Sequence, residues 1–325
     1  MIVVTGALGF VGGRFIEMMR GSNSIIGIDL KAGESGKNVT YISMNLTDEN
    51  AFDKLDNADD IESIVHCAAI ISPKKCQQNP RLAYRTNILG TLNMLEYARR
   101  RDIKKFVYIS SGGVYMNSDS LNIVTEDWPI IPRGIYAISK VAAENTVKDF
   151  SKNYGIDSAA FRITAPYGPG MYNITKDTEI PDALHRHALI FALKCARNED
   201  IIMPTGGDHT VNYTYVDDVI HGIQLALKTR IGGFEAFNLA GGKNYKISEL
   251  GQAVKKICTG IKVEIGPGDL LHSKVTNDPM TSLLPIKQGL FDVSKAGKLL
   301  GYKPAFSPED GMRNLISSFR EQLRS

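Results

Sequence analysis

Tyr136 and Lys140 stand four residues apart in Tyr136-Ala137-Ile138-Ser139-Lys140, the spacing that brings two side chains onto one face of a helix. A phenol beside an ammonium is a proton-transfer pair. The free phenol titrates near pH 10, so a base working at neutral pH needs it lowered by roughly three units, about 4 kcal/mol of extra stabilisation of the phenolate. Lys140 supplies part of that stabilisation. Ser111 follows a strand-like run, in Ser110-Ser111-Gly112-Gly113-Val114-Tyr115, where its hydroxyl can hydrogen-bond a substrate oxygen as charge develops there. Taken singly, a Tyr and a Lys at helical spacing are ordinary surface packing, and Ser-Ser-Gly-Gly is an ordinary loop. Their meaning depends on what lies upstream.

Upstream lies Thr5-Gly6-Ala7-Leu8-Gly9-Phe10-Val11-Gly12. It follows the first apolar run at once and opens an amphipathic segment. Glycines there allow a tight turn, close backbone approach to a pyrophosphate and close packing of helix on strand, while the helix start offers free N–H groups. A lone glycine pattern is also the mark of any strand-to-helix turn. Here Asp29 ends the second strand-like run seventeen residues after Gly12, where a carboxylate accepts hydrogen bonds from a ribose diol and repels a 2′-phosphate. NAD is therefore expected over NADP, although Lys31 stands close to the same position. The positive nicotinamide ring would supply the rest of the stabilisation that Tyr136 needs. The combination predicts hydride transfer at a carbon bearing a hydroxyl or keto group.

Those residues need a frame. Short apolar runs at Ile2 to Thr5, Ser24 to Asp29, Val39 to Asn45, Ile61 to Cys67, Lys105 to Ser110 and Ser158 to Ile163 alternate with longer amphipathic stretches. Alternation of this kind predicts an α/β fold, a Rossmann-type doubly wound parallel sheet with helices on both faces. Arg81 to Arg101 and Gly134 to Asn153 read as full crossover helices. Past Arg162 the rhythm breaks at Pro166, Pro169 and Gly170, and a helix is expected from about Asp182 to Ala196. Val211 to Tyr215, Asp217 to Lys228 and Ala236 to Leu239 read as strand, helix and strand. The division expected is a nucleotide-binding domain over 1–165, with 211–240 returning to it, and a smaller, discontinuous C-terminal lobe for substrate from 166–210 and 241–325. The stretch Gly266 to Pro285 is weakly patterned and reads as a loop.

Composition narrows the partners. The chain has 325 residues, 43 % of them hydrophobic, and a net charge of +3 with both signs interspersed. That is enough for a large core, and too little positive charge for a nucleic-acid stripe or a membrane-binding face. Small molecules are the expected partners. The four cysteines, Cys67, Cys76, Cys195 and Cys258, show no metal-ligand spacing, so no metal is expected and all four read as free thiols in a reducing compartment. Met1 leads directly into an apolar run without a basic start or a long apolar stretch, which points to the cytoplasm.

With these residues in view, the chain resembles the extended short-chain dehydrogenase/reductase family, which includes nucleotide-sugar epimerases and dehydratases. The resemblance runs through the glycine turn, His66-Cys67-Ala68-Ala69, Asn87-Ile88-Leu89-Gly90-Thr91, Ser111 with Tyr115, Tyr136 with Lys140, Tyr167-Gly168-Pro169-Gly170, Tyr215-Val216-Asp217-Asp218-Val219 and Asp292-Val293-Ser294-Lys295-Ala296. It implies that Gly6, Gly9, Phe10, Val11, Gly12, Ala68 and Ala69 line the NAD cleft, that Asn45 and Leu46 border the adenine, and that Asn87 positions the active-site backbone. It also implies that Lys140 contacts the nicotinamide ribose, and that the segments 81–101 and 134–153 form a homodimer through a four-helix bundle. His66 reads as a satisfied strand-end residue.

Departures from the family pattern bear on the reaction. In the family's 4,6-dehydratases an acidic pair follows the catalytic hydroxyl residue; here those positions are Gly112 and Gly113, so elimination by that route is not expected. Nucleotide-sugar enzymes usually place an Asn and an Arg against the substrate diphosphate where this chain has Ala165 and Val211. A further Arg is replaced within Ser282-Leu283-Leu284-Pro285-Ile286-Lys287. Either Arg186, Lys194, Lys274 or Lys287 grips a nucleotide in another way, or the substrate carries none. The leading expectation is an NAD-dependent oxidoreductase or epimerase acting on a sugar-like or sugar-nucleotide-like substrate. Its alternatives are a dehydrogenase or reductase of a non-nucleotide hydroxy or keto compound and, more distantly, a non-catalytic NAD(H)-binding regulatory protein on the same fold.

Overall fold

The computed structural model describes residues 1–56, 58, 60–115, 122–175, 178, 187–270 and 289–324. Ile2–Thr5, four buried residues in a row, forms an inner strand of a seven-stranded sheet. Across the sheet the order is Phe234–Leu239, Asp157–Ile163, Lys105–Ser111, Ser63–His66, Ile2–Thr5, Ile25–Asp29 and Val39–Ser43, with every neighbouring pair parallel. This is the doubly wound α/β architecture that the alternating runs predict. The connections turn opposite ways on either side of Ile2–Thr5, and such a reversal opens a crevice beyond the carboxyl ends of the strands.

Side chains of one strand point alternately to the two faces, and two separate cores result. Val4, Val107 and Phe161 pack with Phe15, Ile16, Val219 and Ile223, from the helices Phe10–Met19 and Val216–Lys228. Val3, Phe106 and Ala160 pack on the other face with Met94, Leu95, Ala143 and Val147, from the helices Gly90–Arg100 and Gly134–Tyr154. The second of these is continuous for 21 residues and ends at Gly155, whose φ of 68° suits the left-handed turn that closes it. The other expected crossover is broken. A short helix Pro80–Tyr84 and a π turn Arg85–Leu89 precede Gly90–Arg100, because Asn87 turns inward to bond groups outside its helix.

Much of the remaining described chain packs around a third core that includes Leu189, Phe191, Ile247, Leu250, Leu315 and Phe319. Its strands are short. The expected strand Val211 to Tyr215 is two separate pairings: Thr210–Val211 runs antiparallel to Tyr245–Lys246, and Thr214–Tyr215 parallel to Pro166–Tyr167. The expected helix from Asp182 is described only as His187–Ala196, and most of the loop 266–285 lies outside the described residues. The buried Asp218 carboxylate accepts from the backbone of Ala305 and Phe306 and ties this part of the chain to the large sheet's covering helix.

One expectation about cysteine is corrected. Cys195, in the last turn of His187–Ala196, is joined to Cys258, just past the helix Ile247–Ile257, with their Cα atoms 6.2 Å apart. A separation of 63 residues carries no pairing signal in sequence; the packing of the two helices brings the sulfurs together. Cys67 and Cys76 are free thiols. Among the described residues no helix is long and apolar enough to cross a membrane, and no cluster of three His, Cys, Asp or Glu side chains could hold a metal.

Candidate active site

A cleft of ≈ 1040 Å³ opens at the carboxyl ends of the central strands. Gly6, Gly9, Phe10, Val11, Gly12, Asp29, Asn45, Leu46, Ala68, Ala69, Ser111, Gly112, Gly113, Tyr136, Lys140 and Ala165 all line it. Asn87 and Val211 do not.

The glycine turn is a cradle that side chains would fill. Gly6 has φ of 65°, and a Cβ there would meet the backbone N of Ala68 at 2.8 Å. A Cβ on Gly12 would stand 2.3 Å from the carbonyl oxygen of Gly6. The empty space faces the start of the helix Phe10–Met19, whose first N–H groups and dipole suit an anion. Asp29 is held at the lip of this cradle: its two oxygens accept from the amides of Leu8 at 3.0 Å and Leu30 at 2.8 Å. Each oxygen keeps a further lone pair for a ligand hydroxyl. Lys31 is exposed and outside the cleft lining. A dinucleotide with an unphosphorylated ribose fits this geometry and this charge.

Behind the cleft wall, Asn87 does its work from a buried position. Its Oδ1 accepts from the amide of Ile70 at 2.7 Å, and its Nδ2 donates to the carbonyl of Ile70 at 3.1 Å and to Ser139 Oγ at 2.9 Å. The π turn frees this side chain to pin a cleft-lining segment to the helix of Tyr136. His66 is satisfied at both nitrogens, with Thr5 Oγ 2.7 Å from Nδ1 and Thr91 Oγ 3.0 Å from Nε2. The Thr91 hydroxyl proton goes to the Asn87 carbonyl, so Thr91 accepts from Nε2–H, and Nδ1 accepts from Thr5. Burial, then the nearby Lys140 charge, holds His66 down at about 3. It is a neutral structural side chain.

Ser111, Tyr136 and Lys140 converge at the deep end. The Ser111 hydroxyl accepts from the amide of Gly113 at 3.1 Å and lies near enough to the Tyr136 phenol to favour its ionised form. Lys140 is buried; its Nζ donates to the carbonyl of Ile109 at 2.6 Å and lies 4.7 Å from the centre of the Tyr108 ring. Burial lowers the ammonium to about 8, against the opposing pull of Cys67, Glu144 and Cys76. The phenol departs from expectation. Burial raises Tyr136 above its ordinary value, with Ser111 pulling the other way. Desolvation of a phenolate outweighs one hydrogen bond, and Lys140 is turned to Ile109.

The two glycines after Ser111 differ in kind. A Cβ on Gly112 would meet the Phe291 ring at 2.9 Å and the carbonyl oxygen of Ile163 at 3.2 Å, whereas one on Gly113 would face Ser111 Oγ at 3.2 Å and Tyr136 Cε1 at 4.0 Å. Neither position offers an acid or a base to the reacting carbon. Ala165 takes a left-handed backbone, φ 36°, at the cleft wall. Val211 is only 7 % exposed and packs in the third core rather than lining the cleft; its strand pairs with Tyr245–Lys246 and turns the side chain inward. Lys194 donates to the carbonyl of Asp200, away from the cleft; Arg186, Lys274 and Lys287 lie outside the described residues. Sequence reasoning passed over Glu144, four residues beyond Lys140 on the same helical face, and its partner Arg162; the spacing was the available signal.

Three comparisons bear on this site. Residues 2–240 match the model of the NAD dependent epimerase/dehydratase family. The chain is 27 % identical over 337 residues to a UDP-glucose 4-epimerase of Mycolicibacterium smegmatis, covering 98 % of each, and 25 % identical over 344 residues to a UDP-glucuronate 4-epimerase of Thermodesulfobacterium geofontis, covering 99 % of this chain and 96 % of the other. Among solved structures it is similar to a UDP-glucose 4-epimerase of Thermotoga maritima determined with UDP-glucose, at a TM-score of 0.80 and 25 % identity over 98 % of each chain.

Proposed function

The chain belongs to the NAD dependent epimerase/dehydratase family, and from that premise we propose that it is a 4-epimerase of a nucleotide sugar, oxidising a secondary alcohol and returning the hydride to the opposite face. The observation that carries this is the convergence of Ser111, Tyr136 and Lys140 in one cleft with glycine at 112 and 113. Hydride chemistry is served there, and the glycines give elimination no acid or base.

In this reading Gly6, Gly9 and Gly12 cradle the pyrophosphate, Asp29 takes the adenosine ribose diol, and the wall at Asn45, Leu46, Ala68 and Ala69 holds the rest of the nucleotide. NAD supplies the hydride acceptor and, in the return step, the donor. Tyr136 removes the hydroxyl proton from the substrate and later gives it back. Ser111 donates a hydrogen bond to the same oxygen, and Gly113 holds Ser111 by its amide. With NAD bound, Lys140 would hold the nicotinamide ribose, and its charge would lower the phenol from its raised resting value. The open space over Gly113 lets the keto sugar turn between the two hydride steps.

A second reading, a net dehydrogenase of a substrate without a nucleotide, is favoured by the absence of a polar group at Ala165 and by the inward turn of Val211. The deciding experiment incubates the chain and NAD with UDP-glucose, UDP-galactose and UDP-glucuronate, and separately with free sugars, following inversion at C4 by NMR and NADH by absorbance. Inversion without net NADH supports the epimerase; NADH from free sugars alone overturns it. We read the active form as a homodimer, supported by the exposed apolar Leu82, Tyr84, Ile138 and Tyr154 on the segments 80–100 and 134–154; a monomer in sedimentation at micromolar concentration overturns that assembly.

A further inference from the structure

We propose that Glu144 and Arg162 form the positioning pair of this site, a buried ion pair that holds the helix of Tyr136 and Lys140 in register with the strand of Ser111 and sets the charge around Lys140. The proposal rests on the reading of Tyr136 and Lys140 as the reacting pair.

The pair is 2.5 Å apart between Arg162 Nη2 and Glu144 Oε1, with side chains 5 % and 6 % exposed. Arg162 Nε adds contacts to both carboxylate oxygens, at 3.2 and 3.3 Å. Two of the pair's remaining polar contacts lead to the strand and turn that carry Ser111. Glu144 Oε2 accepts from Ser110 Oγ at 2.7 Å, one residue before Ser111. Arg162 Nη1 donates to the phenol of Tyr115, which closes the turn Gly112–Tyr115 after Ser111, and to the carbonyl of Glu126 at 2.9 Å. Glu144 itself stands one helical turn beyond Lys140 and two beyond Tyr136. A buried ion pair is a weak means of stabilising a fold, since apolar residues of similar volume often serve as well, while a fork of this kind is specific in geometry.

Lys140 is faced by Tyr136 and Glu144 from its own helix, by His66 and Cys67 at the end of Ser63–His66, by Cys76 from Pro73–Gln78 and by Tyr108 from Lys105–Ser111. Burial lowers His66 and raises Cys67, Cys76 and Tyr108, so these stay neutral near pH 7. Glu144 is the group among them that brings a negative charge, and Arg162 is what balances it.

The test follows the side-chain NMR signal of Lys140 in the NAD-loaded chain through pH, with the signal assigned by its loss in Lys140→Arg. Glu144→Gln leaves Arg162 uncompensated and is expected to lower the Lys140 midpoint by about one pH unit; Arg162→Gln leaves Glu144 uncompensated and raises it by about as much. Midpoints that move the same way, or stay put, overturn the proposal. Where only one of the two variants folds, a shift opposite to its stated direction, or none, likewise overturns the proposal. Arg162→Lys keeps the charge but not the planar fork: the midpoint should hold while hydride transfer from UDP-glucose or UDP-galactose slows at least tenfold, and an unchanged rate overturns the positioning role. The titration needs no substrate, so a wild-type chain inactive on both sugars would sink the functional reading and leave this one to be judged on the midpoints.

Discussion

The two walls of the cleft are built on different principles. The nucleotide wall is backbone: a turn emptied of side chains at Gly6 and Gly12, a helix start, and one carboxylate braced by two amides. In the proposed reading its backbone part meets the pyrophosphate that every dinucleotide has in common, and Asp29 alone reads the ribose. The substrate wall is side chain: alanine in a left-handed conformation at 165, glycine at 113 beside the reacting groups, and a neighbouring strand whose Val211 faces away. Recognition built from backbone geometry tolerates change except at its glycines, whereas recognition built from side chains is rewritten by single substitutions. A family can therefore keep its cofactor while its substrates diverge.

The strongest way to break the contrast is at the line where the walls meet. Tyr136→Phe is expected to cut hydride transfer by on the order of 10³ with NAD affinity unchanged, since general acid–base groups contribute in that range; calorimetry for NAD and stopped-flow for the hydride step check both halves. A parallel loss of NAD binding would mean that the phenol belongs to the nucleotide wall instead. The next effect concerns the substrate side's own scaffold. The disulfide closes a loop of 63 residues, which in the chain-entropy account is worth about 4 kcal/mol. Replacing Cys195 and Cys258 by serine should lower the melting temperature measurably and leave the NAD site intact, and an unchanged melting temperature with two titratable thiols in the wild-type chain would show that the pair is reduced.

On the nucleotide wall, Asp29→Ser removes an acceptor and a repulsive charge together. A hydrogen bond to a charged group is worth roughly 1.5–3 kcal/mol, so NAD affinity should fall by about tenfold or more and the preference over NADP should shrink with it. Equal affinities for the two cofactors in the wild-type chain would overturn the role of Asp29.

How much of this was legible beforehand divides along the same line. The sheet was readable because buried parallel strands are continuous apolar runs, and all six expected runs begin and end within two residues of the strands found at 2–5, 25–29, 39–43, 63–66, 105–111 and 157–163. The glycine turn, Asp29, Ser111, Tyr136 and Lys140 were readable because local chemistry dictates them. Three things were not. The π turn at Arg85–Leu89 exists for bonds that Asn87 makes to Ile70 and Ser139, residues 17 and 52 positions away. The Cys195–Cys258 pairing depends on which helix packs on which, and the Glu144–Arg162 ion pair on which helix covers which strand. The raised Tyr136 phenol shows the same limit: its partners could be read, but its burial could not.

The smallest expected effect tests the substrate wall most directly, at Ala165. Its φ of 36° lies in a region that residues with a Cβ occupy at a cost, and that asparagine enters several-fold more readily than most. Nucleotide-sugar enzymes of the resembling family usually carry Asn there, and the position lines the cleft, whereas Val211→Arg would place a charge in the third core. Ala165→Asn should therefore raise the melting temperature slightly by easing the backbone, and add an amide donor where a diphosphate would lie. A neutral hydrogen bond contributes about 0.5–1.5 kcal/mol, so UDP affinity should rise roughly two- to tenfold by titration against the NAD-loaded chain. A rise in melting temperature with no gain in UDP affinity would show that no diphosphate reaches this wall, and would favour the substrate without a nucleotide. Tight micromolar binding of UDP to the unaltered chain would show instead that basic groups elsewhere already make the grip, and that the left-handed alanine is a tolerated loss.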